Sequence, residues 1–226
     1  MIRANRIEIP QTLEEACDPS RTALIVYDMQ VGILRQLKDG AAVVANVVQV
    51  LRAAREAGIR VFFTRHLSLP KELMGAFQLR MAMAWQRVAT PDEVRPWFLR
   101  DSPAFQLVPE VAPLPSEAIF DKIAMSAFEG TPLDIALRDC GLSTFLIAGV
   151  AMEIGIEPTV RHGADLAYIP IVVTDACGAG HREAAERALG TLRFIGDALF
   201  ATTEEICGIL RRAPGRTSAH SHRAGE

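Results

Sequence analysis

The sequence predicts an α/β fold built on a parallel sheet. Three observations carry that expectation. Short β-branched runs alternate along the chain with helical stretches of about ten or more residues, the signature of βαβ units joined by right-handed crossovers. The first run, residues 22–27 (TALIVY), is apolar nearly throughout, as in a strand covered on both faces. Half of the 226 residues are hydrophobic, enough for a sizeable core without disulfides or a structural metal.

The elements follow in order. Residues 22–27 form strand one. Residues 41–57 (AAVVANVVQVLRAAREA) carry apolar side chains at helical spacing and stop at Gly58, a helix-ending residue. Residues 59–64 (IRVFFT) read as strand two and 118–120 as a short strand three. A helix over 132–140 has Thr131 as N-cap, Pro132 at its first position and Gly141 just past its end, each where helix termini favour it. Strand four spans 143–150, a helix with an early Pro158 covers 153–166, and strand five covers 169–174. A helix at 181–194, strand six at 198–202 and a last helix at 203–211 complete the series.

One domain is expected over 1–212, since domains hold roughly 100–200 residues. The small, polar tail at 213–226 (APGRTSAHSHRAGE) is expected to be disordered, with His220 and His222 solvated. Residues 67–115 break the rhythm: they show no clear strand, several prolines and both tryptophans, Trp85 and Trp97. An insertion this long is expected to act as a lid or an interface arm, or to pack as a helical flap for stability.

Composition narrows the function classes. Lys and Arg total 24 against 27 Asp and Glu, a formal charge of −3, with a pI near 6.0. That balance argues against a nucleic-acid partner or a polybasic membrane surface. The longest apolar stretch, 142–156, is too short for a membrane span and is broken by Glu153. The opening MIRANRIEIPQT lacks the apolar core of a signal peptide. Cys17, Cys140, Cys177 and Cys207 are widely spaced, with no CxxC pattern. A reduced, cytoplasmic protein is expected.

In an open parallel sheet, ligands bind beyond the carboxyl ends of the strands. The residues found there are Asp28 after strand one, Arg65 and His66 after strand two, Asp121 and Lys122 after strand three, Gly149 to Gly155 after strand four, and Asp175 and Cys177 after strand five. Any one such acid is explained as well by capping a loop or helix. Together they are more informative. Asp28 beside Lys122 becomes an oriented acid–base group, its protonation set by burial against charge pairing. The turn through Val150, Ala151 and Glu153 offers backbone N–H groups at a helix N-terminus to an anion or oxyanion. Glu153 is either a cap or the holder of a water; Glu157 and Arg161, four apart, read as a surface pair. His66 and Phe128 are candidate substrate contacts.

Three segments then carry a family resemblance. Asp28 in ALIVYDMQ, Lys122 in FDKIAMSAFEGTPL, and the block LIAGVAMEIGIEPTVRHGADLAYIPIVVTDAC resemble the isochorismatase-like hydrolase superfamily over about residues 22–209. Its members include nicotinamidases, ureidoacrylate and biuret amidohydrolases, N-carbamoylsarcosine amidohydrolase and isochorismatases. The resemblance implies a three-layer α/β/α fold with a six-stranded parallel sheet ordered 3-2-1-4-5-6, the switch point lying between strands one and four. It also implies a cis peptide at Val150–Ala151, a small-molecule substrate and a homo-oligomer (dimer or tetramer). No cofactor is expected, and no catalytic metal, because the Asp-x-His spacing of the metal-binding members is missing.

In the amidohydrolase members an Asp and a Lys act with a Cys nucleophile. Asp28 and Lys122 match the first two, while GVAMEIG matches the family pattern G-V-A-T-[DE]-x-C and puts Gly155 at the nucleophile position. No acyl-thioester can form on a residue without a side chain. Cys177 is the one other thiol on the site edge of the sheet. Isochorismatases likewise resemble this chain in combining Asp and Lys with Gly, and they cleave a vinyl ether without a protein nucleophile. Their W-R-Y-S-A-F segment stands against DKIAMSAF here, and their His two residues before the Gly against Glu153. Three readings follow. The chain is a hydrolase of a small, carboxylated substrate using Asp28-centred acid–base chemistry, a silent ligand-binding or scaffold relative, or a Cys-type amidohydrolase with its nucleophile replaced at Gly155.

Overall fold

The structure, a computed structural model, describes residues 1–212. The tail expected to be disordered, with His220 and His222, lies outside the described residues. The chain opens with a hairpin that sequence reading missed, β1 (Ile2–Ala4) against β2 (Ile7–Ile9). Asn5 and Arg6 connect the strands at positive φ, 51° and 66°, the backbone twist a two-residue hairpin turn requires. Every residue of both strands is exposed, so no burial pattern marked them.

After the short helix α1 (Leu13–Ala16) come β3 (Thr22–Tyr27), α2 (Val31–Leu34), α3 (Gly40–Glu56), β4 (Arg60–His66), α4 (Ala76–Gln86) and β5 (Ala118–Lys122). The second half holds α5 (Leu133–Asp139), β6 (Thr144–Val150), α6 (Glu157–Asp165), β7 (Ile169–Gly178), α7 (Arg182–Ile195), β8 (Leu199–Ala201) and α8 (Thr203–Arg212). The six-stranded sheet runs β5-β4-β3-β6-β7-β8, all parallel. Counted within the sheet this is the expected 3-2-1-4-5-6.

β3 is buried at all of its residues, and its alternating side chains feed two cores. Leu24 and Val26 join one face with α3 and α8; Ala23, Ile25 and Tyr27 join the other with α5, α6 and α7. α3 meets the sheet through Val43, Val47, Val50, Leu51 and Ala54, the apolar stripe of a helix lying on a sheet. It stops at Gly58 (φ 73°), where Ile59 N bonds Ala54 O at 2.9 Å and Gly58 N bonds Arg55 O at 3.1 Å. This paired closure needs a left-handed residue.

Several boundaries differ from the sequence reading, and the differences place functional side chains. β4 runs on to His66 and β5 to Lys122, with Arg65 opposite Asp121 and His66 opposite Lys122. Arg65 Nε bonds Asp121 Oδ1 at 2.8 Å, so polar residues that looked like loop are a cross-strand pair. β7 reaches Gly178, which puts Cys177 inside a strand. The helix expected from 153 begins as a π-helical turn, Met152–Ile156, before α6; such turns recur at functional sites. Thr131 caps α5 from two residues out, accepting Leu133 N–H at 3.2 Å.

The 67–115 insertion holds α4 and three short 3₁₀ turns. Its return leg is tied to the chain just after β3: Val31 N bonds Gln106 O, Gly32 N bonds Ala104 O and Val108 N bonds Met29 O, each at 2.9 Å. The insertion is thereby held across the carboxyl end of the sheet. Among the described residues, no helix is long and apolar enough to cross a membrane.

Candidate active site

β3 delivers Asp28 to the carboxyl edge of the sheet with a left-handed φ of 46°, a conformation Asp tolerates better than most residues. Its side chain is only 5% exposed, and that of Lys122 is fully buried. Each carboxylate oxygen has its own donor. Thr64 Oγ1 donates to Oδ1 at 2.6 Å, and Lys122 Nζ donates to Oδ2 at 2.7 Å. Lys122 also donates to Ala124 O at 3.3 Å and lies 4.3 Å above the Tyr27 ring centroid. Burial pushes the Lys122 pKa down, against the pull of Asp28 in the other direction.

Asp28 opens onto a cavity of about 330 Å³, a size suited to a small ligand. Val150, Ala151, Glu153 and Gly155 line it from the β6–α6 turn, His66 from β4, and Trp85, Trp97 and Phe98 from the insertion. Of the residues expected at a site, the structure therefore gathers Asp28, His66, Val150, Ala151, Glu153 and Gly155 around one space, with Lys122 directly behind Asp28. The Val150–Ala151 peptide is cis, as the resemblance implied.

Phe128 is not brought to this cavity. Ala127 N bonds Thr159 Oγ1 and Phe128 N bonds Ser126 Oγ, turning its ring inward. There it stacks on Tyr168 at 5.6 Å and meets Phe145 at 5.7 Å, 6% exposed and outside the cavity. The backbone donors of the turn divide into two groups. The amides of Ile154, Gly155 and Ile156 all turn onto the Ala151 carbonyl, at 3.0–3.2 Å. Those of Ala151, Met152 and Glu153 lie outside that set.

Glu153 reaches across the turn, its Oε1 accepting His181 N–H at 2.6 Å at the start of α7. Its Oε2 is buried and has no hydrogen-bond partner. His66 is held by its backbone, whose N–H donates to Gln30 Oε1 at 2.6 Å, while its ring meets Phe98 edge-on at 5.9 Å. Burial lowers its pKa to about 4; Lys122 adds to the effect and Asp28 opposes it. The imidazole is neutral at physiological pH.

Tyr27 fills the space beside Gly155. A β-carbon built on Gly155 would stand 2.5 Å from Tyr27 Cε1 and closer still to the phenol oxygen. The hydroxyl is anchored by donating to the Met125 carbonyl. Burial first, then Asp28, raise its pKa well above the usual tyrosine value, so it stays protonated. Gly149 is needed for a different reason: at φ 136° a β-carbon there would meet the Tyr27 backbone N at 2.8 Å.

The described thiols sit elsewhere. Cys177 faces the core from β7, its Sγ 3.6 Å from Ile147 O, and burial raises its pKa to about 12. Cys17 is raised to about 12 by burial and Glu14, and Cys207 is raised by burial. Neither these nor Cys140 line the cavity. Among the described residues, no group of three or more His, Cys, Asp or Glu could hold a metal ion.

Sequence reasoning missed Thr64, Tyr27 and the aromatic wall. Thr64 and Tyr27 had a faint signal, each being the polar last member of an apolar run. The tryptophans were singled out only as belonging to the insertion.

The Isochorismatase domain family model matches residues 22–205. Ureidoacrylate amidohydrolase RutB of Pantoea ananatis (strain LMG 20103) is 29% identical over 195 residues, covering 75% of this chain and 74% of the relative. The protein of that name from Pseudomonas syringae pv. syringae (strain B728a) is 28% identical over 185 residues, covering 75% and 76%. Among solved structures, a cysteine hydrolase from Pseudomonas syringae pv. phaseolicola 1448A superposes with a TM-score of 0.74 at 25% identity, covering 87% of this chain and 95% of that one. N-carbamoylsarcosine amidase from Thermoplasma acidophilum shares the fold at 20% identity and TM-score 0.67, covering 81% and 97%.

Proposed function

The chain belongs to the isochorismatase family, and from that premise we propose that it hydrolyses a small polar molecule by acid–base chemistry on Asp28, without a thiol nucleophile. One observation carries this reading: the space a side chain at 155 would need is already taken by Tyr27. Tyrosine at 27 and glycine at 155 fit one another. That favours a glycine integral to the site over one substituted into a thiol enzyme.

Thr64 Oγ1 and Lys122 Nζ hold the two carboxylate oxygens of Asp28 in place, and a carboxylate fixed in this way at the cavity edge is suited to act as a base. In the proposed reaction a water in the cavity gives a proton to Asp28 as its oxygen attacks an acyl or ureido carbon. The C–N bond then breaks, and Asp28 returns the proton to the leaving nitrogen. The backbone amides of Ala151 and Glu153, residues that line the cavity, are the candidates to meet the developing oxyanion. Protonating a vinyl-ether carbon would instead need Asp28 to enter the reaction as the acid. The amidohydrolase names of the relatives support the C–N assignment.

The thiol question is tested by native alkylation. With Cys17 and Cys177 pushed up to about 12 by burial, little thiolate forms at neutral pH. Iodoacetamide is expected to leave turnover of an amide and urea panel unchanged. Inactivation in step with labelling of Cys177 would overturn the reading.

A further inference from the structure

A second cavity, of about 40 Å³, adjoins the first. One face of α4 covers it: Gln78, Met81, Ala82 and Trp85 recur at helical spacing along its wall. A helix on a folded domain normally buries such a stripe, yet α4 has no buried residue. Its inner face looks onto open space instead of a packed core. Leu69, Met74 and Ile123 add to the walls, and no charged side chain lines them among the described residues. Two of the polar side chains present are already engaged. Gln86 holds the backbone of Arg95 through both amide atoms, at 2.8 and 2.9 Å, and Ser68 Oγ accepts the Phe98 N–H at 3.2 Å.

The two cavities meet at His66, Trp85, Trp97 and Phe98, which line both. Phe98 is the fixed side of this partition, 6% exposed and bonded to Ser68 through both its N–H and its carbonyl. Trp85 is the yielding side, 43% exposed on a helix with no buried residue. A water-sized group needs about 10–15 Å³ of such space, so about three methylene-sized groups fit. The unbranched side chains of Met74 and Met81 adapt their shape to an occupant.

We propose that this second cavity is a subsite for a short alkyl tail of the substrate. The hydrolysed polar head lies beside Asp28, and the apolar end passes Trp85 to pack on Met81 and Ala82. The tail completes the buried face that α4 lacks, and removal of its methylenes from water drives it there. This assignment rests on the first cavity being the hydrolytic site.

The test uses one head with tails of different length: phenylurea and its 4-propyl and 4-hexyl forms. The chain's two tryptophans line both cavities, so quenching of intrinsic fluorescence reports occupancy without turnover. The propyl form is expected to bind at least about tenfold more tightly than phenylurea, some 1.4 kcal/mol, and the hexyl form to gain nothing over the propyl. Ala82→Leu fills the subsite and is expected to cancel the gain, so that phenylurea and its propyl form bind alike. Met81→Ala enlarges the subsite and is expected to let the hexyl form bind more tightly than the propyl. A propyl gain short of tenfold, a gain untouched by Ala82→Leu, a hexyl form that Met81→Ala does not favour, or no quenching by any of the three at millimolar concentration would each overturn the proposal. If the tail dependence holds but none of the ureas is hydrolysed, the subsite stands and the catalytic reading fails separately.

Discussion

Lys122→Met is expected to lower the unfolding free energy at neutral pH by about 3–5 kcal/mol, the usual cost of removing one partner from a buried ion pair. Methionine matches the length of the lysine stem and keeps apolar contact with the Tyr27 ring, so the loss would come from Asp28 left charged and 5% exposed. The cost lies in the unpaired charge, so removing that charge as well should restore stability: Lys122→Met combined with Asp28→Asn is expected to recover most of the loss. Urea denaturation of the single and double variants measures this. An equal deficit in both would mean that Lys122 contributes packing alone. Against a total stability of typically 5–15 kcal/mol, the effect at pH 7 is large.

Gly155→Cys is the second large effect. The added β-carbon collides with a ring that is 1% exposed and whose hydroxyl is anchored on Met125. Overpacking of this kind costs about 1–3 kcal/mol, and no gain in amidase activity is expected. Tyr27→Val on its own opens a cavity and loses the phenol's hydrogen bond. The double variant Tyr27→Val with Gly155→Cys gives the new side chain room. The two changes are therefore expected to couple favourably, the double variant being more stable than the sum of the singles by 0.5–3 kcal/mol, the range measured for residues in contact. If Gly155→Cys alone melts at the wild-type temperature and gains amidase activity, the chain is a thiol enzyme lacking its nucleophile.

Much of this architecture was legible in the residues. The apolar run ending at Asp28 and the block from Leu146 to Cys177 carry strong patterns because strands buried on both faces leave no polar alternation to confuse. Asp28 and Lys122 could be singled out because strand order brings sequence-distant strand ends to one edge, and Gly155 because the resemblance to the family motif put it at the nucleophile position. The losses have physical causes too. β4 and β5 were read short because Arg65, Asp121 and Lys122 are polar, yet they pair across strands or with a buried acid. β1 and β2 bury nothing and so leave no periodic trace. Phe128 was misplaced because sequence carries no direction for a side chain in an irregular turn. The Tyr27–Gly155 fit is a contact between residues 128 positions apart, visible only once β3 and β6 lie side by side.

The most direct measurement is turnover by Asp28→Asn, read beside ligand binding by tryptophan fluorescence. Asparagine preserves the shape and can still accept from Thr64, but it cannot take a proton from water. Turnover is expected to fall by about 10²–10⁴, the range general acid–base catalysis supplies, while phenylurea, used as a binding probe, still quenches Trp85 and Trp97, which line the cavity. Wild-type turnover by Asp28→Asn would contradict the account.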